Sequence, residues 1–221
     1  MASLVKSAQG FSRLSRIYDR LAGLVYGKAL RKAQTHFLPQ VKTSSRALVL
    51  GGGTGWFLEA LLETGRVEAV TYVELSEGMM EKSKARIQAN LPTAYPKVVW
   101  VEGTIQEVEA TPAFDLVCTH CFLDLFEGER LQSEVKAIQQ RLQPGASWYF
   151  SDFKYAARWP MSWISRIMIW GMYRFFQWTC GIQAGRLAPF SEVLHGAGLR
   201  SQDRITTYGG MIEAVWYEEE V

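Results

Sequence analysis

The chain lacks most of the features that assign a class at a glance. It has only three cysteines, Cys118, Cys121 and Cys180, too few and too scattered for a disulfide framework, and this usage suits a reducing compartment. No run approaches the roughly 18 uncharged apolar residues of a membrane span, so none is expected. The N-terminus has no uninterrupted apolar stretch of the secretory kind. Its Arg- and Ser-rich opening superficially fits a transit peptide, but the amphipathic pattern runs on into the chain and reads as a structural helix. Net charge is only +2 over 221 residues, too little to imply a nucleic-acid partner. There are no internal repeats and no linker, so one domain over 1–221 is expected, in the cytoplasm. At 48% hydrophobic and 21% charged residues, the chain reads as globular, with enough length for a full core.

The charge that is present is unevenly placed. Residues 1–46 carry nine bases (Lys6, Arg13, Arg16, Arg20, Lys28, Arg31, Lys32, Lys42, Arg46) against one acid, Asp19. Residues 153–191 carry five (Lys154, Arg158, Arg166, Arg174, Arg186) and no acid. Two basic segments on a mildly acidic body predict a local positive face. In the first segment Phe11, Leu14, Tyr18, Leu21 and Val25 recur at three- and four-residue steps, the mark of an amphipathic helix. Gly27 breaks it, and a second helical piece runs to Pro39, giving a helical cap over 1–40. In the second segment, 155–186, Trp159, Trp163, Trp170 and Trp178 are interspersed with Met161, Ile164, Met168, Phe175 and Phe176. This reads as a helix packed as extra core, as a lid over an apolar ligand, or as a helix in peripheral contact with a membrane surface.

The chain is organised around Ala47–Leu61. Leu48 to Leu50 form a short apolar strand, four glycines follow in the five residues Gly51–Gly55, and Leu58, Leu61 and Leu62 resume at helical spacing. Such a strand–turn–helix exposes backbone N–H groups where a ligand's anionic group can sit. The dinucleotide pattern G-x-G-x-x-G does not fit, since its third position falls on Trp56 or Leu58. The pattern G-x-G-x-G does fit, at Gly51, Gly53 and Gly55. After the next β-rich run, Glu74 stands 23 positions beyond Gly51, near the spacing of a carboxylate that accepts from ribose hydroxyls. Ser76 reads as the N-cap of a following helix.

The glycine pattern resembles the first motif of class I S-adenosylmethionine-dependent methyltransferases, and the resemblance continues in order along nearly the whole chain. Phe11–Leu21 is similar to the N-terminal segment of the ubiquinone/menaquinone and phospholipid methyltransferase-like group, which implies that Tyr18 lies in the methyl-donor pocket. Leu75 to Lys82 resembles the second motif, implying Met79 near the adenine, although a core methionine fits the residues equally. Glu102-Gly103-Thr104-Ile105 stands where the family has Gly-Asp-Ala. Thr104 would then accept from the adenine amino group and Ile105 would cover the ring. Phe114 to Phe126 resembles the segment bordering methyl transfer, with His120 facing the cofactor.

The resemblance implies a doubly wound, mostly parallel seven-stranded α/β sheet with S-adenosyl-L-methionine across its switch point. Its contacts would come from Tyr18, Gly51, Gly52, Gly53, Thr54, Gly55, Glu74, Leu75, Met79, Gly103, Thr104, Ile105 and His120. If the acceptor must lose a proton, the general base is His120, then Asp124 or Asp152. The expected acceptor is small and apolar or lipid-like, under a roof of Tyr18, Trp159, Trp163 and Trp170, and no nucleic acid is expected. Two family positions that usually carry acids hold Val49 and Thr104. They leave a non-catalytic S-adenosylmethionine-binding protein open as an alternative, and a nucleotide-binding oxidoreductase is the more distant one. Cys118 and Cys121 spell C-x-x-C, but zinc needs four ligands, so no metal is expected. Strand alternation should also place the two thiols on different faces.

Overall fold

The computed structural model describes residues 9–13, 23, 25–43, 45–111 and 113–219. Tyr18 and most of the predicted first helix lie outside these. A helix α1 (Lys28–Thr35) leads to β1 (Ser45–Leu50), α2 (Trp56–Glu63), β2 (Val67–Glu74), α3 (Glu77–Asn90) and β3 (Val98–Glu102). Then follow β4 (Phe114–His120), α4 (Gly128–Gln139), β5 (Leu142–Phe153), α5 (Met161–Cys180), α6 (Phe190–Gly196), β6 (Leu199–Thr207) and β7 (Ile212–Glu219). The seven strands form one sheet in the order β3-β2-β1-β4-β5-β7-β6. β1 pairs in parallel with both β2 and β4, and β7 runs antiparallel to β5 and β6. The strand order therefore reverses between β1 and β4, and the carboxyl ends of these two strands flank the crevice where such sheets bind ligands.

The alternation of side chains along the central strands builds two cores. Ala47 and Val49 pack on one face with Phe37, Leu58 and Tyr149, whereas Leu48 and Leu50 pack on the other with Ile138, Val117 and Trp148. Both faces of β1 are buried because helices cover both sides, which is why its sequence reads as a continuous apolar run. Each fully buried Leu or Val contributes about 1.5–3 kcal/mol.

One boundary differs from the sequence pattern. Leu131, Val135, Ile138 and Leu142 read as one helical stripe ending at Pro144-Gly145, but α4 stops at Gln139 and Leu142 opens β5 opposite Phe114. Arg141 accounts for the early stop. Its carbonyl accepts from the N–H groups of Ala113 (2.9 Å) and Phe114 (3.1 Å). Its buried guanidinium donates to the carbonyls of Val108 (3.0 Å from Nε) and Ala137 (2.6 Å from Nη1). These bonds close the chain into the sheet one turn before the apolar stripe ends.

At the far end of β5 the chain turns back through α5, whose buried side chains are Ser165, Ile169, Tyr173 and Cys180. Helical residues 9–13 pack on it. A Cβ on Gly10 would overlap Cys180, and the rings of Phe11 and Phe176 lie 5.8 Å apart. The two basic, aromatic segments thus meet through residues 9–13 and α5. Arg141→Ala should remove several charge-assisted hydrogen bonds at once and destabilise the fold by about 2–4 kcal/mol. Chemical denaturation checks this, and a loss below about 0.5 kcal/mol would show that Arg141 does not set this boundary.

Candidate active site

The glycine loop is held in shape by the backbone of Gly53. Gly51, Gly53 and Gly55 have φ of 62°, 64° and 77°, a region open to glycine and costly to other residues. The Gly53 N–H donates to Glu74 Oε2 at 2.8 Å, and the Gly53 carbonyl accepts from the Tyr72 hydroxyl at 2.9 Å. Ser83 Oγ lies 2.8 Å from both that carbonyl and the Tyr72 hydroxyl. Gly52 has no room for a side chain, because a Cβ there would overlap the Tyr72 ring. Tyr72 and Glu74 share one face of β2, so two alternate residues of one strand hold the loop from beside it. Sequence reading missed Tyr72 and Ser83. The available signal was an aromatic two residues before the acid, beside a loop with no Cβ.

Glu74 is buried, and its second oxygen accepts from the Ser76 N–H at 2.8 Å. Burial raises its pKa and these backbone bonds oppose the rise. Each carboxylate oxygen keeps a further lone pair for a ligand hydroxyl. Ser76 caps α3 as expected, accepting from Met79 N–H at 3.3 Å. Its hydroxyl also lies 2.9 Å from that of Ser12, which ties helical residues 9–13 to the same corner.

Two cavities flank the loop. One, of about 240 Å³, is bounded by Gly51, Gly53, Glu74, Leu75, Met79, Gly103, Thr104 and Ile105, with Phe11 and Phe122 on its other side. The other, of about 110 Å³, is lined by Gly52, Thr54 and His120, again with Gly51 and Gly53, and by Val49 and Arg31. The expected cofactor residues within the described chain therefore gather around one loop, apart from Gly55. That glycine lines neither cavity, and it lets the loop turn into α2 against Ser83. A Cβ at Gly53 would meet nothing within 4 Å, so open space faces it. A slot of Leu75, Met79, Ile105 and Phe122 with a carboxylate at one end fits a nucleoside. Arg31, stacked 4.6 Å over the Trp56 ring, offers a cation beside the glycines. Thr104 is not free to serve as a simple acceptor. Its hydroxyl donates to Glu107 Oε2 at 2.6 Å and its N–H donates to the same oxygen at 2.7 Å. The carboxylate missing at position 104 is present three residues on, fixed to Thr104 and held below the usual carboxylate range by that bond.

The end of β4 carries the remaining candidates. His120 Nδ1 lies 2.7 Å from Ser151 Oγ, and its ring packs edge-on to Phe57 at 4.2 Å. Its Nε2 is buried with no protein partner among the described residues. Burial pushes its pKa down to about 3, so it is neutral at working pH. Cys121 follows with φ of 52°, anchored by its N–H to the Ser151 carbonyl at 2.8 Å. That turn breaks the strand alternation. Contrary to the sequence expectation, Cys118 and Cys121 both pack against the same core. Burial raises both thiol pKa values.

Asp124 and Asp152 are both buried, and the Asp124 N–H donates to Asp152 Oδ2 at 3.3 Å. Asp152 Oδ1 accepts from the Phe153 N–H, whereas Asp124 Oδ1 has no partner among the described residues. Burial pushes the Asp124 pKa up to about 7, and burial plus the Asp124 charge drives Asp152 well above its ordinary value.

Asp124 and Cys121 also line a third cavity, of about 310 Å³, whose other walls are Tyr26, Phe153 and the inner face of α5: Met168, Gly171, Met172, Tyr173, Phe175 and Phe176. Phe11, Cys121, Leu125 and Ile182 border both this cavity and the 240 Å³ one. The tryptophans expected in the roof are absent from it. Trp159, Trp163, Trp170 and Trp178 are 85%, 65%, 63% and 85% exposed. The roof is instead formed by methionines and phenylalanines on the opposite side of α5.

The raised Asp124 pKa carries a consequence for stability. The unfolded value is near 3.8 and the folded value about 7, so the folded state holds its proton more tightly. That contribution is full below about pH 4 and is lost as pH rises through 7. Asp152 acts in the same direction. In Asp124→Asn, thermal melts should therefore show a Tm advantage over the parent that grows from pH 5 to about pH 8.5. A gap independent of pH would mean that Asp124 is not protonated in the fold.

Residues 47–145 match the family model described as a methyltransferase domain. A malonyl-[acyl-carrier protein] O-methyltransferase of Priestia megaterium is 26% identical over 146 residues, covering 65% of this chain and 49% of that protein. A second, from Anoxybacillus flavithermus, is 26% identical over 61% of this chain and 48% of its own length. The chain thus spans about half the length of the curated relatives it matches. Among solved structures, the 1,6-didemethyltoxoflavin-N1-methyltransferase of Burkholderia thailandensis, with its substrate and S-adenosylhomocysteine bound, superposes with a TM-score of 0.69. It is 16% identical, and the match covers all of this chain and 89% of that one. A mitomycin 7-O-methyltransferase gives 0.67 at 16% identity, over 95% of this chain and 60% of that one. Residues 47–145, which include the switch-point glycine loop, are thus similar to a methyltransferase domain, and the chain has the fold of these solved methyltransferases.

Proposed function

We propose that this chain transfers a methyl group from S-adenosylmethionine to a small apolar acceptor held between α5 and the carboxyl edge of the sheet. The observation that carries the reading is the apolar 310 Å³ cavity, which shares Cys121 and Leu125 with the cleft beside the glycine loop. The cofactor supplies an activated methyl on a sulfonium, so the protein's work is placement in a dry site. In this reading Glu74 accepts from the ribose hydroxyls, and Met79 and Ile105 enclose the base. Gly103, with the Thr104–Glu107 pair, borders its polar edge. Arg31 and the Gly51–Thr54 backbone receive the carboxylate, and Tyr18, by resemblance, adds to the donor pocket.

The proton chemistry favours Asp124 over His120. A histidine with its pKa pushed down to about 3 is a weak base, and His120 then serves as a neutral hydrogen-bonding group toward the cofactor. Asp124 lines the acceptor cavity and titrates near 7, which suits a general base at working pH. The curated relatives act on a malonyl group carried by acyl-carrier protein, and this is coarse support for an acyl or lipid-like acceptor.

Two measurements test the reading. Glu74→Gln should weaken S-adenosylhomocysteine binding in calorimetry by about 1.5–3 kcal/mol, the worth of hydrogen bonds to a charged group; unchanged affinity would remove Glu74 from the site. Gly171 sits in the wall of the acceptor cavity with open space where a Cβ would be. Gly171→Phe should fill that cavity, leaving S-adenosylhomocysteine affinity intact while abolishing transfer of labelled methyl into the organic-soluble fraction of a cell extract. Label appearing only in protein or water-soluble product with the parent enzyme would overturn the acceptor class.

A further inference from the structure

The seven exposed residues of α5 are Trp163, Ile164, Arg166, Ile167, Trp170, Arg174 and Trp178. Every one is tryptophan, isoleucine or arginine. Trp159 and Arg158 extend the same composition beyond the helix start, and no acid occurs anywhere in 153–191. A helix face turned to water ordinarily carries Glu, Lys and Gln, and one that packs on its own protein is buried. This face does neither, because the same helix already spends its opposite side on the acceptor cavity. The guanidinium of Arg174 lies 5.8 Å over the Trp170 ring and that of Arg166 lies 5.4 Å over the Tyr155 ring, so cations and aromatic rings sit at one level.

We propose that the outer face of α5 docks the protein on an anionic lipid bilayer, with the helix lying in the interface. Tryptophan prefers the boundary between headgroups and acyl chains, and arginine pairs with lipid phosphates at the same depth. The helix would lie flat: its 20 residues extend about 30 Å along its axis, and among the described residues no helix is long and apolar enough to cross a membrane. The positive charge of the face, with no acid to oppose it, selects anionic headgroups. The proposal extends the methyl-transfer reading, since it sets the acceptor cavity directly above the bilayer from which an apolar acceptor comes, but its test uses no turnover.

The purified full chain is sedimented with extruded vesicles of phosphatidylcholine alone, or with about one third phosphatidylglycerol. Binding to the anionic vesicles is expected, with a blue shift of tryptophan emission and a steep loss as salt rises. Arg166→Glu with Arg174→Glu should cut partitioning about thirtyfold or more, taking about fivefold for each charge removed near the surface. The triple change Trp163→Ser, Trp170→Ser, Trp178→Ser should abolish the blue shift. All these side chains are exposed, so circular dichroism and S-adenosylhomocysteine affinity should match the parent. Several results would overturn the proposal: no vesicle binding, equal binding to neutral vesicles, or binding unchanged in both variants. So would self-association, or capture of a soluble acidic protein, that depends on these residues without vesicle binding. Vesicle binding without any S-adenosylhomocysteine binding would instead leave this proposal standing and remove the methyl-transfer reading.

Discussion

The backbone of Gly53 is the point on which the site depends. Its N–H is taken by Glu74 and its carbonyl by Tyr72, with Ser83 touching the same carbonyl from α3. One residue thus ties the loop after β1 to the neighbouring strand and to the helix that follows that strand. The arrangement requires glycine at 52, where the Tyr72 ring occupies the space of a side chain, and at 53, where φ is 64°. It also explains why burying Glu74 is tolerable. A carboxylate in low dielectric is costly, but three backbone N–H groups stabilise the charged form. A group that would otherwise be a liability becomes both the brace of the loop and a wall of the cleft.

From that corner the sheet order determines what lies nearby. Because β1 and β4 are neighbours running in parallel, the residue after β4 must face the loop after β1. This puts Cys121 at the border of all three cavities. Its positive φ redirects the chain toward α5 and buries Asp124 against Asp152. Two carboxyls in one apolar pocket cannot both ionise at modest cost. The pocket therefore favours retention of a proton by the pair, and Asp124 lines the cavity beneath α5.

Much of this was legible in the sequence. The strand, the G-x-G-x-G turn and the acid at Glu74 are local patterns with direct physical meaning, and the order of the motifs fixed the sheet. What was not legible has specific causes. Leu142 continues a helical spacing, and only the tertiary bonds of Arg141 draw it into β5. The direction of α5 was hidden because large apolar residues stand on both of its faces, so their periodicity offers no choice of face. Trp170 and Met172 are both plausible inward residues until the cavity shows that Met172 is inside and Trp170 outside. Tyr72 and Ser83 were missed because their role is to hold backbone, which leaves no composition signal.

The two positions where the family usually has acids, Val49 and Thr104, raised the question of whether the cleft retains the polarity a cofactor needs. Their surroundings answer it differently. Val49 sits in a buried strand, and the smaller cavity it lines draws polarity from Arg31 and Gln34 of α1 and from Thr54 and His120. At Thr104 the charge has moved rather than vanished. The Glu107 carboxylate closes the 3-10 turn by accepting from the Thr104 N–H and hydroxyl. The threonine oxygen in turn accepts from the Gln106 N–H at 3.3 Å, and Thr104 borders the 240 Å³ cleft. A pair of residues three apart thus fixes a carboxylate to a residue that borders the cleft, and a motif read one position at a time does not reveal it.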